Sequence, residues 1–341
     1  MSKLRVAVIG CGSIAKYRHL GEFNNHSEVE IVAVCDIVEE RAQEMAQQYG
    51  AKAYTSYEKL FEVEKPDAVS VCLPNYLHAP VSIAALQAGC HVLCEKPMAT
   101  SRAEAEEMIE VAKNNGKKLM IAHNQRFVPS HARARALIAS GEIGKIYSFR
   151  TAFGHGGPEQ WSRDGADSWF FKKEQAFIGA MGDLGVHKAD LLRYLLGEEF
   201  VEVAGFIETS AKENTDVDDN AVCILKSESG VIGTLAASWA YTAKEDNSTI
   251  IYGEHATLRI EDDPAYSLIV QYKNGEVVNY ELGGIQSNAE GGQTTTHIID
   301  HFVESIIQDT EPLINGEEGM KSLEVILAAL ESMETKQFCE I

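Results

Sequence analysis

Hydrophobic positions in the first third of the chain alternate between short runs and helical periods. The runs, rich in β-branched residues, predict buried parallel strands, and the segments with apolar residues every three or four positions predict amphipathic helices. The predicted strands are 4–9, 30–35, 52–54, 68–73, 91–94 and 118–122, and the predicted helices are 13–24, 38–49, 56–62, 78–88 and 101–114. This alternation predicts a parallel sheet covered on both faces, with ligands at the carboxyl ends of its strands.

Beyond residue 123 the pattern changes to strands with alternating polar and apolar residues. The predicted strands are 145–153, 201–209, 219–226, 231–239, 248–253, 256–261, 266–272 and 277–282. Helices are predicted at 130–140, 183–196, 294–309 and 317–335, and residues 154–165 form the longest irregular stretch. Hairpin-type turns between successive strands, such as Asn274-Gly275, predict an open, mostly antiparallel sheet with helices on one side.

A glycine motif follows the first predicted strand directly. Gly10, Cys11, Gly12, Ser13, Ile14 and Ala15 form a G-x-G-x-x-A turn. The first glycine permits the tight turn, the second lets the backbone approach a pyrophosphate, and the alanine lets the helix pack closely on the sheet. The exposed N–H groups of that helix favour the phosphate charge. We therefore predict an α/β Rossmann dinucleotide-binding domain over residues 1–123, followed by a substrate-binding and oligomerisation α/β domain over residues 124–341.

Asp36 ends the second predicted strand and bears on the choice of dinucleotide. Its carboxylate can accept hydrogen bonds from the ribose hydroxyls and would repel a 2′-phosphate. Ile37 and Val38 supply no cation, and Arg41 is the nearest basic residue. The sequence therefore favours NAD over NADP as the cofactor. The alternative is that Asp36 only caps the helix that starts near Glu39.

Composition narrows the class of protein. The 341 residues are 45% hydrophobic and 24% charged, which is typical of a globular protein. A net charge of −21 argues against nucleic-acid and anionic-membrane partners. The first strand begins so early that a signal peptide is not expected, and no apolar run is long enough to span a bilayer. The seven cysteines form no C-x-x-C pair, so we expect free thiols and a cytoplasmic location.

Three further motifs accompany the glycine turn. They are Pro74-Asn75-Tyr76-Leu77-His78, Glu95-Lys96-Pro97 and the segment from Gly182 to Asp190, which contains D-x-G-x-H. With these motifs the chain resembles the Gfo/Idh/MocA family along essentially its whole length. The resemblance implies a Rossmann domain followed by an α/β domain. It also implies oxidation or reduction of one hydroxyl of a sugar, sugar derivative or cyclitol with NAD(P).

The resemblance implies that Lys96, Asp183 and His187 are the catalytic group. Alcohol oxidation needs a base at the hydroxyl and a positive group that stabilises alkoxide character. Asp183 and His187 are four residues apart, so on a helix the carboxylate can bond one imidazole nitrogen and leave the other to take the proton. Lys96 follows a strand end, where its ammonium can hold the substrate hydroxyl and the nicotinamide ribose. Whether Lys96 or His187 is the formal base stays open. An exposed turn lysine and a solvated ion pair are the alternatives.

Other residues are expected around the cofactor and the substrate. Asn75 and His78 would flank the nicotinamide ribose, with helix capping as the alternative for Asn75. Glu95 would bond a cofactor ribose or position Lys96. Arg126 is a candidate substrate or interdomain contact.

Three aromatic residues and one departure from the family pattern concern the substrate side. Trp161, Trp169 and Phe170 would form a wall for the sugar, with core or interface packing as the alternative. Phe177 and Ile178 stand where family members often have glycines, and their bulk is expected to reshape the substrate site.

We expect no metal site. His297 and His301 have the spacing of a helical zinc pair, but no third ligand with matching spacing accompanies them.

Two alternative functions remain open at this stage. One is an enzyme that keeps NAD bound and recycles it during internal redox exchange or glycoside cleavage. The other is a nucleotide-sensing regulator without catalysis.

The predicted second sheet has one face without helices, and family members bury that face against another subunit. We therefore expect a homodimer or homotetramer formed through this sheet.

Overall fold

The computed structural model describes residues 3–285 and 296–341. The first third folds into a six-stranded, all-parallel sheet with the order β3-β2-β1-β4-β5-β6. Its strands are β1 (Leu4–Ile9), β2 (Val29–Cys35), β3 (Lys52–Tyr54), β4 (Ala68–Val71), β5 (His91–Cys94) and β6 (Leu119–Ile121). The central strands are almost entirely buried, which explains their continuous apolar runs.

Helices cover both faces of this sheet. They are α1 (Leu20–Asn25), α2 (Glu39–Tyr49), α3 (Tyr57–Glu64), α4 (His78–Gln87) and α5 (Arg102–Asn114). The predicted helix 13–24 is split, because Ala15–His19 forms a π-helical turn ahead of α1. The other four predictions agree with the structure to within two residues at each end.

The second sheet has nine strands in the order β14-β13-β12-β11-β7-β10-β9-β8-β15. Its strands are β7 (Ile146–Gly154), β8 (Phe200–Glu208), β9 (Asn220–Ser227), β10 (Ile232–Ser238), β11 (Thr249–Gly253), β12 (Ala256–Ile260), β13 (Leu268–Tyr272), β14 (Val277–Tyr280) and β15 (Cys339–Glu340). Among the described strands of this second sheet, only β10 and β7 pair in parallel, and the other neighbours are antiparallel. The predicted fold class is therefore confirmed. The two-residue strand β15 was not predicted.

The remaining helices come from the part of the chain beyond residue 123. They are α6 (Pro129–Ala139), α7 (Lys173–Ala176), α8 (Val186–Leu196), α9 (Ile298–Ile307) and α10 (Gly316–Thr335). Buried residues of α9, such as Phe302, belong to the same core as β1. The first two residues of the predicted helix 294–309 lie outside the described residues. The long helix α10 packs on β8 and also on α5, so it spans both cores.

One face of the second sheet carries exposed apolar side chains. Phe206, Val222, Ile224 and Ile232 lie on neighbouring strands and are about half exposed or more. Because β-strand side chains alternate between faces, their inward neighbours form the second core. This outward apolar group is named the sheet patch below.

No helix in the described ranges is long and apolar enough to cross a membrane.

Candidate active site

Strand β1 delivers the glycine motif to the carboxyl edge of the parallel sheet. Gly10 has a φ of +94°, and a Cβ built on it would lie 2.1 Å from the carbonyl oxygen of Cys72. Only glycine therefore fits at this position. Gly12 is different, since no described atom lies within 4 Å of its Cβ position. Its backbone is thus open to a ligand.

The glycine turn borders a cavity of about 570 Å³ that extends between the two domains. Gly12, Ser13 and Ile14 line it. Ala15 does not, because it is fully buried against the sheet. This is the close packing predicted for a small residue at this position, so Ala15 shapes the turn and does not border the cavity.

Asp36 lies at the end of β2 and lines the same cavity. Its carboxylate accepts hydrogen bonds from the backbone N–H groups of Cys11 and Val38, each at 2.8 Å. These bonds fix the carboxylate beside the glycine turn. The capping alternative is wrong, since Val38 precedes α2 and no side chain caps that helix.

A segment of the second half crosses over the glycine turn. Residues 158–168, named the strap here, contain two short 3₁₀ turns. The Ser13 hydroxyl donates to the carbonyl oxygen of Trp161 at 3.1 Å and accepts from the backbone N–H of Arg163 at 3.1 Å. The Arg163 guanidinium donates to the carbonyl oxygen of Cys11 at 3.0 Å. The strap is therefore attached to the turn that is expected to hold a pyrophosphate.

Two ion pairs extend this attachment. Arg163 pairs with Glu44, and Arg41 pairs with Asp164 of the strap. Arg41 lines the cavity, but its charge is already matched by a carboxylate.

Glu95 is buried and is held by the first helical segment. Arg18 and His19 both donate to its Oε1 atom. The Nδ1 atom of His19 lies 2.7 Å from the Ser70 hydroxyl, and burial lowers the His19 pKa well below its usual range. Glu95 also accepts the backbone N–H of Lys96 at 3.3 Å, so it orients the start of the Lys96 turn. The roles of Arg18 and His19 were not predicted, because they lie 77 and 76 residues before Glu95 and no local sequence pattern connects them to it.

The side chains of Asn75 and His78 form hydrogen bonds with backbone carbonyl groups. The Asn75 amide donates to the carbonyl oxygen of Ala176 at 2.7 Å and so links the two domains. The capping alternative for Asn75 is wrong, since no side chain caps the 3₁₀ turn or α4. The two His78 ring nitrogens lie 2.6 and 2.8 Å from the carbonyl oxygens of Pro97 and Leu73. Both residues line the cavity, so the contact with a nicotinamide ribose stays a prediction, while these polar atoms hold the backbone around the site.

Lys96 and Asp183 meet across the domain boundary. The Lys96 ammonium donates to Asp183 Oδ1 at 2.7 Å and to the Asp183 carbonyl oxygen at 2.9 Å. The second carboxylate oxygen accepts from the Trp239 indole N–H at 3.2 Å. The side chains of Lys96 and Asp183 are 14% and 7% exposed, so this is a nearly buried ion pair. Trp239 directly follows β10, in sequence that carries no catalytic signal, and it was not predicted.

His187 lines the cavity without bonding Asp183. The prediction of an Asp183–His187 contact is wrong for a geometric reason. Residues Met181–Gly185 form a π-helical turn, with hydrogen bonds from i to i+5, so the α-helical i, i+4 rule does not apply. Burial and the Lys96 charge lower the His187 pKa well below its usual range, which keeps the imidazole neutral near pH 7.

A buried carboxylate holds that π-helical turn in place. Asp218 accepts the backbone N–H groups of Gly179 and Met181 at 2.7 and 2.8 Å. A Cβ on Gly179 would lie 1.8 Å from the Asp218 carbonyl oxygen, so this glycine is required. Phe177 adopts a φ of +68°, a backbone conformation that residues other than glycine rarely take. Neither Phe177 nor Ile178 lines the cavity, so the expectation that their bulk reshapes the substrate site is wrong.

Aromatic side chains line the cavity beside the catalytic group. Trp169 stacks on Phe170 with ring centroids 3.9 Å apart, and Trp161 meets Phe170 edge-on at 5.2 Å. His155 also lines the cavity, at the end of β7, and was not predicted. Its Nδ1 atom accepts the backbone N–H of Gly157 at 3.0 Å.

Arg126 lies away from the cavity. Its guanidinium is buried and pairs with Asp190 and with Glu318 of α10. The substrate role is therefore wrong, and these ion pairs join elements within the second domain rather than the two domains.

The two histidines with zinc-like spacing make separate contacts. His301 accepts the backbone N–H of Leu313, and His297 bonds Asp300. Over residues 3–285 and 296–341 no group of three or more potential ligands is arranged around a metal position.

These features define a class of protein: a two-domain, dinucleotide-binding oxidoreductase whose second domain carries residues to the carboxyl edge of the first sheet. The comparisons with known proteins agree with this class. A model of an oxidoreductase family with an NAD-binding Rossmann fold matches residues 4–123, and a model of the GFO/IDH/MocA C-terminal domain matches residues 131–259. The chain belongs to the Gfo/Idh/MocA family.

Two curated relatives and one solved structure place the chain within this family. A D-glucoside 3-dehydrogenase from Escherichia coli is 37% identical over 58% of this chain and 55% of its own length. A levoglucosan dehydrogenase from Pseudarthrobacter phenanthrenivorans is 30% identical over 75% and 68%. A structure of levoglucosan dehydrogenase in complex with NADH and L-sorbose aligns with a TM-score of 0.85 at 25% identity, covering 100% of this chain and 99% of that chain.

Proposed function

We propose that the protein is an NAD-dependent dehydrogenase that moves a hydride between a hydroxyl-bearing carbon of a sugar, sugar derivative or cyclitol and the nicotinamide. The observation that carries this proposal is the Lys96–Asp183 ion pair, which lies with His187 in the cavity bordered by the glycine turn. The relatives named as D-glucoside 3-dehydrogenase and levoglucosan dehydrogenase support the substrate class. NAD, when bound, supplies the nicotinamide that accepts the hydride.

The side chains divide the proton chemistry between them. Lys96 donates a hydrogen bond to the substrate oxygen and stabilises its alkoxide character. Asp183 holds the ammonium in place, and the Trp239 indole N–H holds the Asp183 carboxylate. His187 takes the hydroxyl proton, because it is a cavity-lining group that burial keeps in its unprotonated form. This arrangement supports His187 rather than Lys96 as the formal base.

The residues around the glycine turn fit NAD. Gly12 leaves space for a pyrophosphate, and Asp36 presents a fixed carboxylate to an adenosine ribose. Arg41 is the nearest cation, but it is paired with Asp164 and is therefore not free to hold a 2′-phosphate. These contacts support a preference for NAD over NADP.

The test is a screen of sugars, sugar acids, inositols and their phosphates, in which NADH and NADPH formation are followed in parallel. We expect NADH formation with at least one sugar or cyclitol and a lower kcat/KM with NADP. A protein that binds NADH but turns over no polyol in either direction would contradict the proposal.

A second candidate is an enzyme that recycles bound NAD. The strap favours it, because its bonds to Ser13, Cys11 and Arg41 would have to break before a dinucleotide could leave. Product formation without accumulation of NADH would distinguish recycling from a dehydrogenase that releases its cofactor.

We also propose that the sheet patch binds a second copy of the chain, which gives a homodimer or a homotetramer. The patch is supported by exposed, adjacent apolar residues such as Phe206, which is 77% exposed, and Ile224. Ile224→Arg is expected to lower the mass measured by light scattering to that of a monomer, because it buries a charge in the interface. The matched control is Val63→Arg, at an exposed apolar position on α3, which is expected to leave the mass unchanged.

Residues 1–123 are proposed to hold the dinucleotide, and residues 124–341 to supply Asp183, His187 and the interface. The seven cysteines are all buried free thiols, which supports a reducing, cytoplasmic location.

A further inference from the structure

We propose that the substrate is an uncharged glycoside or polyol, and that the site discriminates against sugar acids and sugar phosphates. The inference rests on the proposed function and names the chemical class of the substrate for the same site. It is carried by the pairing of charges around the cavity.

Every basic side chain among the described residues that line the cavity already has a carboxylate partner. The pairs are Lys96–Asp183, Arg18–Glu95, Arg41–Asp164 and Arg163–Glu44. The pyrophosphate of the cofactor is expected at the N–H groups of the glycine turn, whereas an anionic substrate beside Lys96 would find no uncommitted cation to receive its charge. Taking a charge out of water without a partner is strongly unfavourable. A hydroxyl has no such requirement.

The cavity histidines add no positive charge near pH 7. Burial lowers the pKa of His155 and of His187, and it lowers the pKa of His78 to about 4. His187 has no ring hydrogen bond to another described residue, and a neutral imidazole can offer a hydroxyl group one donor and one acceptor.

The carboxylates that line the cavity also disfavour an anionic substrate. The lining includes five carboxylates, those of Asp36, Glu58, Glu95, Asp164 and Asp183, against the four basic side chains. The whole chain carries a net charge of −21. A field of this sign repels an approaching anion and leaves a neutral sugar unaffected.

The aromatic walls of the cavity can bind the apolar faces of a sugar ring. Trp161, Trp169 and Phe170 present aromatic surface beside a small number of polar groups. Sites of this composition bind ligands that combine apolar faces with a few hydrogen-bonding groups. A pyranoside or cyclitol ring has C–H faces and hydroxyl edges, which matches the wall and the catalytic polar groups.

The test compares three forms of the sugar skeleton that gives the highest rate in the screen: the glycoside, its uronic acid and its uronamide. The uronamide has the shape of the acid without its charge. We expect kcat/KM for the acid to be about 100-fold or more below that for the glycoside, and the uronamide to stay within about tenfold of it. Equal or higher kcat/KM for the acid would overturn the inference, and so would an equal loss with acid and uronamide, since shape would then decide.

Salt concentration gives an independent readout. Added KCl is expected to lower KM for the acid, because it screens the negative field, and to leave KM for the glycoside unchanged. The 6-phosphate of the same sugar is expected to behave like the acid, and a phosphate that is preferred over its parent sugar would overturn the inference.

A charge can also be added to the cavity. Gln175 on α7 lines it, and Gln175→Lys is expected to raise kcat/KM for the acid relative to the glycoside, whereas the uncharged Gln175→Met is not. An unchanged ratio in Gln175→Lys would count against the inference. Absence of turnover with every neutral and charged sugar would instead overturn the proposed function, so the two failures are distinguishable.

Discussion

At the scale of single residues, Asp183 organises the proposed chemistry. Its carboxylate joins Lys96 from the first domain to Trp239 from the second, and both bonds are nearly buried. Hydrogen bonds to a charged group in a dry site are stronger and more geometrically selective than those in water. Asp183 therefore holds the ammonium in one position, and His187 is left neutral in the same cavity.

Replacement of the cavity lysine tests this arrangement. Lys96→Met is expected to lower kcat by about 10²–10⁴-fold, because the substrate oxygen loses its positive partner. The dissociation constant for NADH is expected to change little, which also shows that the variant is folded. The measurement is steady-state NADH formation together with a fluorescence titration of NADH.

Lys59→Met is the matched control. Lys59 is exposed on α3 and pairs only with Glu62 among the described residues, so its replacement should leave both quantities unchanged. A Lys96→Met protein with wild-type kcat would show that the ion pair serves stability alone.

At the scale of elements, the two glycines of the turn after β1 have different roles, since Gly10 is needed for folding and Gly12 for binding of the dinucleotide. Gly10→Ala places a Cβ 2.1 Å from a carbonyl oxygen at a φ of +94°, and it is expected to destabilise the domain by several kcal/mol, of the order seen for overpacked or strained sites. Gly12→Ala meets no described atom within 4 Å, so its free energy of unfolding is expected to stay near that of the wild type. Its affinity for NADH should fall at least about tenfold, because the methyl group fills the space of the pyrophosphate.

Urea denaturation and NADH titration of the two variants make the comparison. Wild-type NADH affinity in Gly12→Ala would mean that the dinucleotide does not approach this turn.

The strap predicts slow exchange of the cofactor. Arg163→Ala removes the guanidinium bonds to Cys11 and Glu44, and it is expected to raise the dissociation rate of NADH about tenfold by stopped-flow fluorescence, which corresponds to about 1.4 kcal/mol. Arg102→Ala removes an exposed ion pair with Glu324 instead and should leave the rate unchanged. Equal rates in wild type and Arg163→Ala would show that the strap does not restrain the cofactor.

The elements were more predictable than their side-chain contacts. Apolar periodicity locates strands such as β1 and helices such as α5 because burial imposes the period directly. The π-helical turn at Met181–Gly185 leaves no such trace, since it depends on Asp218, which lies 37 residues beyond Met181. The predicted residues Lys96, Trp161 and Trp169 do line the cavity. Trp239 bonds Asp183 and Arg18 bonds Glu95, but these partners are too far apart in the sequence for local spacing to predict their contact.

At the scale of the whole molecule, buried imidazoles make stability depend on pH. Burial lowers the pKa of His78, His123 and His131 to about 4, 4 and 3, below the unfolded value of 6.5. Their contribution is fully present above pH 6.5 and is lost as the pH falls toward 4, because only the unfolded chain takes up these protons. Asp218 opposes them, since burial raises its pKa to about 6 from 3.8 and favours the folded state at the lower pH.

These four groups alone take up about two protons on unfolding near pH 5, which contributes a fall of about 3 kcal/mol per pH unit to the free energy of unfolding. The lowered pKa values of His19, His91 and His187 act in the same direction. Denaturation curves between pH 7 and pH 5 measure this slope. His131→Gln should reduce it by about 1.4 kcal/mol per unit, whereas replacement of the partly exposed His26 serves as the control. Stability that stays constant or rises over this interval would contradict the burial of these rings as neutral groups.

The two domains bring together the parts of one proposed reaction, since Lys96 comes from the first and Asp183 and His187 from the second. The most direct test is a single turnover with a sugar deuterated at the carbon that is oxidised, with NAD in excess and the NADH analysed by mass spectrometry. We expect the deuterium to appear on the nicotinamide ring in the wild type, and Lys96→Met to form no labelled NADH on the same timescale. Oxidised sugar whose deuterium is found in the solvent and not on the nicotinamide would contradict it.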